Sequence, residues 1–252
     1  MSKVEFKLKK DYERYEVLLS TRICDLDIHL NKTPYFKWLR QFKSELRARD
    51  LFENPQFWVS DEWFSPEGSF GVAIPFYLLD KRLQRLEKKI MGDIEGETEI
   101  GFKQLLRHET GHAFDHGYGL MRKKMSVRLF GSDKKVYPQY YKPRLEQGQY
   151  FVKHLEGGYA QAHPSEDFAE TFAEWLKGER YWEKKYFGLP ALLKLRHLDT
   201  IMENLITEER RPFKKSGFVC DDYMDNQMTL GRYYENKLVR KQKYEGHGRI
   251  LM

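Results

Sequence analysis

Residues 108–112 read His-Glu-Thr-Gly-His, and this pentapeptide constrains the chain more than any other segment. Leu105 and Leu106 precede it, Ala113 and Phe114 follow it, and no proline interrupts. A buried helix is therefore expected from about Glu97 to Asp115, ending near Gly117. On such a helix positions i and i+4 share a face about 6 Å apart along the axis, so both imidazoles can reach one tetrahedral zinc ion. Glu109 would project beside that metal, where it can take a proton from water. The plainer alternative is a helix that happens to carry two histidines.

A catalytic zinc needs a third protein ligand and one open position. His116 continues the same face but lies about 12 Å along the axis from His108, too far to share the ion. The position where a metzincin would place its third histidine is Tyr118. The two cysteines, Cys24 and Cys220, are far apart, so neither a disulfide framework nor a Cys cluster for zinc is indicated. The natural source is the stretch from His163 to Trp175, which opens with Pro164 and reads as a helix ending at Gly178. Glu166 and Glu170 lie one turn apart on it, opposite Phe168, Phe172, Trp175 and Leu176. One carboxylate can hold zinc while the next accepts a hydrogen bond from a ligating histidine. Attraction of acids to a helix N-terminus explains Glu166 and Asp167 but explains Glu170 and Glu174 poorly.

Elsewhere the pattern is mostly helical. Thr33-Pro34 reads as a helix start followed by Phe36, Leu39, Phe42 and Leu46. Gln56–Ser60 and Phe70–Tyr77 read as strands separated by the turn Ser65-Pro66-Glu67-Gly68. Leu79, Leu83, Leu86 and Ile90 define an amphipathic helix stopped at Gly92. Pro190 opens another helix, and the tail from about Thr229 is helical and basic. The expected architecture is one α+β domain over residues 1–252, mostly helical with a small early sheet. Residues 1–20 are expected to be loose, and 207–252 form a basic extension.

Of the 252 residues, 44 are basic and 38 acidic, a net charge of +6 that does not by itself imply nucleic acid. The charge is concentrated, with eight Lys or Arg against Asp133 alone between Met121 and Arg144. That segment lies within about 40 residues after the motif helix, a length typical of lids and binding walls. The start of the chain has no apolar run, and the longest apolar stretch, about Val72 to Leu79, is far too short to span a membrane. A cytoplasmic protein is expected.

The blocks FWVSDEWFSPEG, GVAIPFYL, RHETGH and YAQAHPSEDFAETFAEWL resemble those of the bacterial zinc-binding metallopeptidases, over roughly residues 25–205. The pairing of HETGHAFD with YAQAHPSEDFAE is similar to the active site of anthrax lethal factor-like peptidases, within the gluzincin class. The resemblance implies a zincin-like fold, zinc on His108, His112 and Glu166, Glu109 as general base, and Glu170 supporting a ligand from behind. It implies that Tyr159 steadies the oxyanion; packing is the plain alternative. His163 could share that task or cap the helix at Pro164. Asp115 could support a ligand or simply end its helix. The resemblance also implies a substrate-aligning edge strand, for which Phe70–Tyr77 is the candidate.

Two functions follow as expectations. The first is zinc-dependent hydrolysis of peptide bonds in a peptide or protein substrate. The second is a zinc-stabilised, non-catalytic binding module that uses its basic, aromatic surface for an acidic partner or nucleic acid.

Overall fold

In a computed structural model, the structure describes residues 15–138, 141–213 and 222–245. The expected loose segment 1–20 thus falls largely outside the described residues, as do Cys220 and part of the basic C-terminal extension. The helices are α1 (Pro34–Arg47), α2 (Lys81–Met91), α3 (Glu99–Tyr118), α4 (Lys124–Phe130), α5 (Pro164–Trp175), α6 (Glu179–Lys185), α7 (Leu192–Thr207) and α8 (Leu230–Glu245). The strands are β1 (Gln56–Ser60) and β2 (Gly71–Pro75). The chain is mostly helical, and no helix among the described residues is long and apolar enough to cross a membrane.

Helix α1 starts at Pro34 as its sequence predicts, but its buried face is Tyr35, Leu39, Phe42 and Leu46. Phe36, expected in that set, stands 39% exposed. Tyr35 displaces it because the phenol finds partners inside: it donates to Glu97 O and accepts from Gln84 Nε2. Helix α2 ends where Gly92 adopts a left-handed conformation, φ 90°.

Strands β1 and β2 pair in parallel, Gln56 opposite Gly71 through Ser60 opposite Pro75. The second strand is shorter than the sequence pattern suggests, because residues Phe76–Leu79 turn into a 3₁₀ helix. All five of its residues are buried. On the side away from β1, Ala73 N donates to Phe64 O at 2.8 Å. Phe70–Tyr77 is therefore not a free edge. The segment around Phe64 covers that side.

The site rests on the crossing of α3 and α5. Gly111 sets their approach: a Cβ there would lie 2.8 Å from Ala169 Cα and 3.1 Å from Phe172 Cβ. A side chain at 111 would force the helices apart. Phe114 stacks on Phe172 at 5.0 Å, and Phe130 packs edge-on to Phe168. Helix α7 backs α5 with Leu195, Leu198, Ile201 and Met202, all buried. Lys194 of α7 enters this core and pairs with Asp167 at 2.6 Å. At the C-terminus, α8 returns to the early part of the chain, where Tyr233 Oη meets Asp61 O and Lys237 pairs with Glu62 and Glu87.

Candidate metal centre

Thr98 starts α3 by accepting a hydrogen bond from Gly101 N, and Gly119 ends it in the left-handed region, φ 63°. Between these caps the helix is buried along most of its C-terminal half, and His108 and His112 come to one face. Helix α5 starts at Pro164, behind a cap made by His163, and its first turn carries Glu166. Because Gly111 lets the two helices meet closely, Glu166 is set over both histidines.

Three atoms converge. His108 Nε2 and His112 Nε2 are 3.2 Å apart, and Glu166 Oε2 lies 3.0 Å from the first and 3.3 Å from the second. Around a tetrahedral zinc with bonds of about 2.0–2.1 Å, ligand atoms sit about 3.3 Å from one another. The three donors match that spacing, and two imidazoles with one carboxylate suit zinc chemically.

The electrostatics point the same way. Burial alone would lower the pKa of His108, but its bonds to Glu166 and Glu170 outweigh this and hold it well above 6.5. His112 is raised too, against its burial, by the charge of Glu166. Burial would raise Glu166, yet the charge of His112 and bonds to both rings hold it far below the usual carboxylate range. Carboxylates that draw protons onto these rings would equally draw a cation between them.

Behind the ligands, Glu170 Oε1 meets His108 Nδ1 at 3.0 Å. Its other oxygen accepts from His154 N and Leu155 N, both at 2.9 Å. Glu170 thus fixes the ring of His108 with its Nε2 free to ligate. Sequence reasoning missed His154, which ties this loop to α3 by bonding Gln104 O through Nε2. It also missed Tyr137, whose hydroxyl donates to Glu166 Oε1 at 3.1 Å. Both residues lie in irregular chain, where no spacing marks them.

The centre opens into a cleft of about 1000 Å³. Glu109 lines it beside the ligands, and burial raises its pKa above the ordinary glutamate value. Tyr159 lines it with its ring 5.4 Å from that of His108, and burial keeps its phenol protonated. The segment from Trp63 to Ser65 forms a wall.

Other expected residues take plainer places. Asp115 lines the cleft, but Oδ1 accepts from Met121 N at 2.6 Å, so its bond fastens the turn after α3 rather than a ligand ring. Of the two roles expected of His163, the structure supports the cap. Nδ1 accepts from Ser165 N, Nε2 bonds Lys135 O, and the ring is not among those lining the cleft. With both nitrogens engaged, His163 has no donor left for an oxyanion. His116 stacks on His112 and meets Ser65 Oγ at 3.3 Å, outside the ligand set. From the basic segment, Arg122 and Lys134 reach the cleft.

No curated protein and no solved structure matches this chain. A family model does, and the match covers both ligand helices and the chain between them. Residues 97–184 match the model of a family described as "Putative zinc-binding metallo-peptidase".

Proposed function

We propose that this protein is a zinc-dependent peptidase of the gluzincin type, with a zincin-like fold. The observation that carries the proposal is the convergence of His108 Nε2, His112 Nε2 and Glu166 Oε2 within 3.0–3.3 Å, beside Glu109 and inside a cleft. His108, His112 and Glu166 would hold the ion. An ion held there would supply a water of lowered pKa and would polarise a substrate carbonyl.

The chain's own residues do the rest. Glu109, uncoupled from any lysine or arginine ion pair among the described residues, takes a proton from the attacking water and passes it to the departing amine. A carboxylate whose pKa is raised by burial is the stronger base for this task. The Tyr159 phenol donates toward the carbonyl oxygen as negative charge grows there. An extended peptide would lie along the Trp63–Ser65 wall.

The non-catalytic module has less support. A structural zinc takes four protein ligands, and the group among the described residues has three. Metal analysis separates the readings: one zinc per wild-type chain is expected, lost in Glu166→Ala. Glu109→Gln should keep the zinc and lose peptide hydrolysis. Metal-free wild type after refolding with excess zinc would sink the proposal, as would Glu109→Gln with undiminished turnover.

A further inference from the structure

Glu166 has two oxygens, and they are used differently. Oε2 converges with the two histidines, while Oε1 accepts the Tyr137 hydroxyl at 3.1 Å. Tyr137 is held by more than this bond. Its ring stacks on His163 with centroids 3.7 Å apart and planes 20° from parallel. His163 Nε2 donates to Lys135 O at 2.9 Å, two residues before Tyr137, and Nδ1 caps the helix that carries Glu166. Gly131, at the start of the same loop, lies against Pro164: a Cβ there would sit 3.2 Å from Pro164 Cγ. One short segment, His163 to Glu166, thus carries both the loop's anchor and the carboxylate that the loop's tyrosine touches.

A carboxylate can bind zinc through one oxygen or through both, and the second oxygen would occupy the position a water needs. A donor committed to Oε1 keeps that oxygen out of the coordination sphere. We infer that Tyr137 is a positioning residue, which holds Glu166 to one-oxygen ligation through Oε2 and keeps the fourth metal position open. The inference rests on the metal site proposed above. The stack on His163 is what lets it act, since a phenol fixed at both ring and hydroxyl cannot drift from the carboxylate.

The test compares wild type, Tyr137→Phe and Tyr137→Ala, each loaded with Co²⁺ in place of zinc. Two properties are read: the visible absorption of the bound Co²⁺, which reports coordination number, and zinc affinity by chelator competition. Tyr137→Phe keeps the ring stack and loses only the hydroxyl. It should lose the intense four-coordinate Co²⁺ bands as Oε1 joins the ion, and its zinc affinity should change about tenfold. A Tyr137→Phe spectrum and affinity equal to wild type would overturn the inference, and a defect confined to Tyr137→Ala would assign the tyrosine to packing. Wild type that takes up neither Co²⁺ nor zinc would instead fell the metal site itself.

Discussion

Two groups of carboxylates among the described residues differ in what neutralises them, and one of the two has the makings of a site. Near the C-terminus, Glu87 is 2% exposed and pairs with Lys237 Nζ at 2.9 Å, while Glu62 meets the same ammonium at 3.0 Å. Tyr233 Oη and the Tyr77 ring complete the surroundings of that lysine. Between α3 and α5, Glu109, Glu166 and Glu170 are also buried, but the ion-pair partners of Glu166 and Glu170 are imidazoles. No lysine or arginine ion-pairs with these three among the described residues. The first cluster brings its own cation, and the second leaves room for one beside an open cleft. Even within α5 the contrast holds, because Glu174, one turn beyond Glu170, is bonded by Lys177, Lys185 and the Tyr186 hydroxyl.

Removing the internal cation gives the largest effect. Lys237→Met would leave Glu87 without its charge partner and Glu62 with Arg240 alone, and should lower the unfolding free energy by about 3–5 kcal/mol. Urea denaturation reads that loss. The folded fraction should still bind one zinc per chain. Zinc loss at unchanged stability would break the division between a self-neutralised cluster and a metal centre.

Next in size is Glu170→Gln. The amide oxygen can still accept from His154 N and Leu155 N, but the negative charge behind His108 is gone. Zinc affinity should fall about 10–100-fold, with a smaller loss of stability than Lys237→Met. If stability collapsed while zinc affinity held, Glu170 would belong with Glu87 as a structural acid.

These contrasts also mark what could be read from the chain beforehand. His108, His112, Glu166 and Glu170 were legible because helical periodicity alone decides which residues share a face. The start of α5 was legible through His163-Pro164, whereas α3 runs past the expected stop near Gly117 to the left-handed Gly119. Tyr35 in place of Phe36 was not, since both are aromatic and only the distant partners Gln84 and Glu97 separate them. The covering of β2 by Phe64 depends on how the connection folds back, and strand-like composition says nothing of that. The partners of Lys237 lie 150 and more residues away, and Tyr137 and His154 act from loops that have no period. Charge on a helix is visible in sequence; what neutralises it is a tertiary fact.

The smallest effect comes from the third histidine of α3. His108 and His112 face Glu166, whereas His116 faces Ser65 and stacks on His112. Burial, then the charge of His112, push its pKa down to about 4. The unfolded chain binds a proton at about 6.5, so between pH 6.5 and 4 it is the unfolded state that gains protons, and stability falls as pH falls. His116→Gln can keep a hydrogen bond to Ser65 but cannot titrate. Wild type should therefore lose up to about 2 kcal/mol more than His116→Gln between pH 7 and pH 5, read as a steeper fall in Tm. Parallel Tm profiles would mean that His116 is charged in the fold, and that some acid serves it as Glu166 serves its neighbours.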